Sequence, residues 1–164
     1  MRQMEREIKD PAQVEALLKQ GRILHVAWHD EPAPYVLAVN YGYADRRLYF
    51  HCAPEGKKLD LLRRDPRVGF EAEILAEIEP SERACGWETR FQSVVGWGQA
   101  RIVETDEGKR RGLDVLMRQH SGREVWTYGE GPLARMVIVR IDVEHMTGKQ
   151  SKHFVRRQPD KIIS

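Results

Sequence analysis

The stretch PYVLAVNYGYADRRLYFHC, residues 34–52, decides the fold. Its two arms, PYVLAVNYGY and RLYFHC, are rich in the aromatic and β-branched residues that favour extended chain, and only ADR separates them. That spacing predicts a β-hairpin, although the turn lacks the Asn-Gly pair of the tightest hairpins. A hairpin commits its two strands to antiparallel pairing.

Working outward from the second arm, Ala53-Pro54-Glu55-Gly56 turns the chain into EGKKLDLLRR, a short helix that stops before Pro66. A residue preceding proline avoids the helical region, which sets that end. Lys57 and Lys58 stand at the start of this helix, where the macrodipole disfavours cations. Either a negatively charged third party occupies that spot, or the turn is an ordinary solvated one.

Four further strands are predicted: RILHVAWH, RVGFEAEILAEI, TRFQSVVGWGQARIVE and ARMVIVRIDVEHM. In the third, Gly96 and Gly98 allow bulges or a barrel bend. Two more helices are predicted. DPAQVEALLKQG has Asp10 as cap, Pro11 at the first helical position and Gly21 at its close; DEGKRRGLDVLMRQHSG carries Leu113, Leu116, Met117 and His120 on one face and closes on Gly122. EPSERACGWE reads as a charged loop. Six strands without strict strand-helix alternation point to a mainly β fold, a small closed or split antiparallel β-barrel with peripheral helices. Closure also removes exposed edges.

The 164 residues suit a single domain spanning 1–164, with a basic C-terminal tail from about residue 149. Apolar residues make up 41% and charged residues 32%, a globular mix rather than a disordered one. With 27 basic and 25 acidic residues, the charge is too balanced to argue for nucleic acid by itself. MRQMEREIKDP has no apolar core of a secretory signal, and no apolar run approaches the ~20 residues of a membrane span. Cys52 and Cys85 form no paired motif, so free thiols in a reducing cytoplasm are expected.

Several residues invite chemistry. Gly56 would let a phosphate approach the backbone, the first helical turn supplies free N–H groups, and Lys57 and Lys58 could add charge-assisted hydrogen bonds. The plain alternative is two solvated lysines. Asn40 interrupts a strand of apolar and aromatic residues; it could meet the edge of a planar heterocycle, or simply face solvent. Ser93 lies in a long strand close to Gly96 and Gly98; it could bond a ligand, or simply bond a neighbouring backbone. His25 and His29 are four apart, ~13 Å along a strand, too far for one metal with ~2 Å bonds. No metal site is expected. His120, on an apolar helical face, reads as a satisfied core residue. Adjacent strand residues point to opposite faces, so His51 and Cys52 should diverge rather than form a thiolate pair.

Taken in order, these pieces resemble the flavin-binding split-barrel superfamily that includes the pyridoxamine 5′-phosphate oxidases. They look closest to its nitroimidazole-resistance (Nim) branch of related FMN-binding proteins. The carriers are PYVLAVNYGY, LYFHCAPEGKKLDLLRRDPRVGF, CGWETRFQSVVGWGQARIV and VIVRIDVEHMTGK. The resemblance implies a six-stranded split barrel, a homodimer with flavin sites at the subunit interface, and FMN as cofactor. It places Val39, Asn40 and Tyr41 along the flavin ring and ribityl chain, and His51 and Cys52 where a strand end meets the cofactor. Gly56, Lys57 and Lys58 then fall on the phosphate, and Ser93 and Val94 at the ring edge.

The implied activity is electron or hydride transfer from NAD(P)H through FMN to a small acceptor such as a nitroaromatic. His51 would be a catalytic proton source or substrate anchor, or would merely pack against the cofactor. The segment HMTGKQSKHFVRRQPDKIIS lacks the arginine- and tryptophan-bearing end that binds the vitamin in the oxidases, which counts against vitamin B6 oxidation. The alternatives are a non-catalytic FMN carrier or sensor, a relative that binds haem or a deazaflavin, and, last, a nucleic-acid-binding barrel that uses the basic tail.

Overall fold

The fold was read from a computed structural model, which describes residues 4–152 and 154. A 3-10 turn over Met4–Arg6 leads into β1 (Glu7–Ile8), α1 (Pro11–Leu18), β2 (Ile23–Trp28), β3 (Tyr35–Asn40), β4 (Gly42–Ala44) and β5 (Arg47–Cys52). Then come α2 (Lys57–Arg64), β6 (Arg67–Glu79), β7 (Glu88–Val103), α3 (Asp106–Ser121), α4 (Glu130–Ala134) and β8 (Val137–Gln150). The strands form one antiparallel sheet in the order β3-β2-β6-β7-β8-β5-β4, with β1 added to β8. The mainly β, split-barrel class expected from the sequence holds, with eight strands rather than six.

The opening hairpin needs correction. β3 does not pair with β5; it pairs with β2, from Ile23↔Asn40 to Trp28↔Tyr35. The hairpin is β4–β5, with Gly42 opposite Tyr49 and Ala44 opposite Arg47. Asp45 and Arg46 make its two-residue turn, at φ 51° and 57°. Two successive left-handed residues match the right-handed twist of the strands, so the chain reaches that turn shape without Asn-Gly.

This break closes the barrel. β3 and β4 lie at opposite ends of the sheet path, yet only Tyr41 separates them in the chain. One short segment therefore draws the two edges together. Tyr41 fixes the bend: it is fully buried, and its hydroxyl donates to the Leu18 carbonyl at 2.7 Å.

The interior is filled by Trp28, Phe50, Leu24, Leu48 and Ile141, joined by Val14, Leu17 and Leu18 of α1 and Leu59, Leu61 and Leu62 of α2. α3 lies outside the barrel, where Leu113 packs with Tyr49, Leu133 and Ile138. The helix ends follow the sequence closely. Asp10 caps α1 by accepting from the Ala12 N–H, Thr105 caps α3, and Gly122 closes α3 at φ 69°. The C-cap of α1 is Lys19; Gly21, two residues on, donates its N–H to the Leu17 carbonyl at 3.1 Å, and an added Cβ there would run into the Tyr41 hydroxyl. As expected, a register shift falls between Trp97 and Gly98, where β7 crosses β8. His120 is satisfied by its contact with the Tyr41 carbonyl at 3.0 Å.

Candidate functional site

The N-terminus of α2 differs from those of α1 and α3. Gly56 occupies its cap position at φ 130°, a conformation that L side chains rarely adopt, and no side chain caps the helix. The Leu59 N–H turns back to the Gly56 carbonyl at 2.9 Å. The N–H groups of the first turn are thus left without a side-chain acceptor, and a Cβ on Gly56 would meet nothing within 4 Å. Open space, unpaired donors and positive charge coincide here, which is what an anion needs.

The two lysines at this end have different surroundings. Lys57 is paired with Asp30 at 2.6 Å and lies 5.1 Å from the Tyr35 ring centroid. Lys58 is half-buried and makes no ion pair among the described residues. Asp30 belongs to the loop between β2 and β3, and the hydrogen bond from Lys57 holds its carboxyl below the usual aspartate range.

His51 and Cys52 diverge as expected. His51 is exposed, while Cys52 is buried against the core. Burial pushes the Cys52 thiol upward in pKa against a smaller opposing effect of Lys58, so it is a poor nucleophile.

Asn40 and Ser93 share the outer face of the sheet. In one row across it, Ala38 lies opposite His25, His25 opposite Glu71, Glu71 opposite Val95 and Val95 opposite Thr147. The next row runs Val36, Ala27, Gly69, Trp97 and His145. Asn40 and Ser93 extend beyond these rows on β3 and β7, three strand spacings or ~14 Å apart. Ile23, Val36, Val95 and Trp97 expose apolar side chains on this face, at 41%, 52%, 46% and 53%, around the His25–Glu71 pair. Beside Gly69, a cleft of about 490 Å³ is bounded by Ala27, Pro34, Arg67, Trp97 and Gln99. Asn40 and Tyr35 sit at opposite ends of β3, ~17 Å apart. Lys57 meets the Tyr35 end.

Of the residues singled out in the sequence, Asn40, His51, Lys57, Lys58 and Ser93 present side chains that solvent reaches. Val39 is partly buried against the core, and Tyr41 and Val94 are fully buried, backbone included, so the expected contacts of the last two with a ligand are not open in this chain. Burial also pushes the Tyr41 phenol well above its usual pKa. Three participants went unnoticed in the sequence: Asp30, the ring of Tyr35, and the Trp97–His145 stack at 4.2 Å. Each depends on a partner distant in the chain, so no local pattern marks it. His25 pairs with Glu71 at 3.1 Å, and His29 approaches Glu31 at 3.9 Å. Among the described residues no three His, Cys, Asp or Glu side chains form a metal cluster, and no helix is long and apolar enough to cross a membrane. Of the basic tail, Arg156, Arg157 and Lys161 lie outside the described residues.

The antiparallel sheet, with its two edges drawn together at Tyr41 and its peripheral helices, is a split barrel. The family model described as pyridoxamine 5′-phosphate oxidase matches residues 10–150, and the chain belongs to that family. Among solved structures, it resembles a candidate 5-nitroimidazole antibiotic resistance protein from Bacteroides thetaiotaomicron. That match has 28% identity and a TM-score of 0.77, covering 88% of this chain and 86% of that one. An FAD and haem binding protein from Mycobacterium smegmatis shares the fold at 16% identity and a TM-score of 0.78, covering 93% and 77%. An FAD-binding protein from Mesorhizobium loti does so at 24% identity and 0.63, covering 89% and 97%. Among curated proteins, none matches.

Proposed function

We propose that this protein binds FMN and acts as an oxidoreductase, passing electrons or hydride from NAD(P)H to a small acceptor such as a nitroaromatic. The observation that carries the reading is the N-terminus of α2: a glycine cap at φ 130°, no capping side chain and two lysines, one of them held at the Tyr35 end of β3. Family membership and the flavin-binding descriptions of two neighbours support it. The likeness to a candidate nitroimidazole resistance protein motivates the acceptor class.

The residues fit the cofactor. The first turn of α2, with its lysines, would hold the phosphate by charge-assisted hydrogen bonds. Asn40 and Ser93 would meet the polar edge of the ring, and the partly buried Val39 would offer a backbone group. Flavin, when bound, supplies hydride and one-electron chemistry. The chain's own contribution is to orient the ring, exclude water with the apolar face, and place His51 as a proton donor or substrate anchor near the strand end. Asn40 and Ser93 lie ~14 Å apart within one chain. We therefore read the exposed face as half of a site that a second copy completes, in a homodimer with two flavins at the interface.

Absorption of the purified protein tests the cofactor. Flavin bands near ~450 nm are expected, and FMN should bind more tightly than riboflavin. A haem Soret band without flavin would overturn the reading. Substitution of both Lys57 and Lys58 should weaken FMN by a few kcal/mol. Oxidation of NADPH in the presence of a nitroimidazole tests turnover. Bound flavin that never turns over would favour a carrier or sensor instead.

A further inference from the structure

Asp30 places a carboxylate at the spot where the flavin reading puts a phosphate. Its side chain is only 11% exposed, and it contacts the Lys57 ammonium at 2.6 Å. Lys57 is held a second time by the Tyr35 ring, 5.1 Å from its Nζ. It is therefore tethered to the β2–β3 loop and to the start of β3, and its charge is already matched. Lys58, one residue on, pairs with no carboxylate among the described residues. Two adjacent lysines thus differ in the charge they can offer an anion. A carboxylate this near also repels a dianion directly.

We propose that Asp30 sets the charge of the cofactor site: it neutralises Lys57, so that Lys58 and the uncapped first turn of α2, rather than two equivalent lysines, capture the phosphate. This rests on the flavin reading above. Asp30 is then a specificity residue. It lowers the local positive charge and limits how tightly any phosphate-ended ligand binds. The opposite role, a carboxylate that positions Lys57 for the phosphate, makes the opposite prediction.

Titrations of the purified protein with FMN and riboflavin, each at low and high salt, separate the two. Lys58→Gln should weaken FMN by about 30-fold, the loss of a charge-assisted contact. Lys57→Gln should weaken it by no more than about 3-fold. Asp30→Asn should tighten FMN by about 10-fold at low salt, with a smaller gain at high salt, because one repelling charge is gone. Riboflavin, which has no phosphate, should be unaffected in all three variants. The proposal is overturned if Asp30→Asn weakens FMN, or if Lys57→Gln costs as much as Lys58→Gln. Should Asp30→Asn fail to fold, the two lysine variants decide alone. Wild-type protein that takes neither flavin removes the flavin reading and this proposal with it. Equal affinity for FMN and riboflavin removes the phosphate site while leaving flavin binding intact.

Discussion

Asp65 shows how single carboxylates tie this chain's acid stability to its turns. It follows α2 in an extended conformation and receives the Arg67 backbone N–H at 3.0 Å and the Arg67 Nη2 at 2.6 Å. These hydrogen bonds hold its carboxyl far below the ordinary range. The unfolded chain therefore takes up the proton first. The stability Asp65 contributes is present above the ordinary aspartate pKa of ~3.9 and is lost as pH falls toward the depressed folded value. Urea unfolding followed from pH 5 to pH 2 should show a shallower decline for Asp65→Asn than for the wild type; parallel declines would refute the assignment. Asp65 and Arg67 are two residues apart, so their pairing could be suspected from sequence. Asp30 and Lys57 could not be paired that way. A lone aspartate between two strands has no local signature, and only the fold brings it to α2. The unusual placement of Lys57 was visible in the sequence, but the carboxylate that answers it was not.

At the scale of the element, the hairpin was legible and the point where its first strand breaks was not. Residues 35, 37, 39, 41 and 43 all pack into one core, so the inward series does not mark where β3 ends and β4 begins. Periodicity reports which face is buried, not which neighbour a strand pairs with. The change of partner at Tyr41 rests on distant contacts. Gly42 makes one of these against backbone: a Cβ there would lie 2.6 Å from the Leu116 backbone in α3. A helix backbone does not yield as the tip of a flexible side chain does. Gly42→Ala should therefore push α3 away from the β4–β5 hairpin at a cost of about 3 kcal/mol, in the range of overpacked cores. Thermal or urea unfolding measures this directly, and a loss under about 0.5 kcal/mol would show that α3 is free to shift. Tyr41→Phe removes the hydroxyl from Leu18 but keeps the ring. Because Gln119 also donates to the Leu18 carbonyl, at 3.1 Å, the carbonyl stays satisfied. Its cost should be nearer 1 kcal/mol.

At the scale of the whole molecule, the barrel class was legible because alternation, turn spacing and the absence of strict strand-helix repeats agree on it. The outer face of β3, β2, β6 and β7 was not, since which exposed residues lie side by side depends on register. Ile23, Val36, Val95 and Trp97 come from three strands of this face and expose apolar side chains around the His25–Glu71 pair. In the proposed dimer this face is covered by a second copy, and Asn40 of one subunit works with Ser93 of the other. Val95 lies mid-sheet between Glu71 and Thr147 and is 46% exposed, so a charge there should leave the isolated fold intact. Val95→Asp would bury an unpaired carboxylate in the dimer, at about 3 kcal/mol per site. Two such sites should shift dissociation by well over 100-fold. Sedimentation equilibrium should find dimer for the wild type and monomer for Val95→Asp at micromolar concentration, with unchanged circular dichroism. FMN affinity should fall with dimerisation and recover as the variant is concentrated. A folded Val95→Asp monomer that binds FMN as the wild type does would confine the flavin site to one chain. A wild type that sediments as a monomer while holding flavin would leave the apolar face without the partner assigned to it.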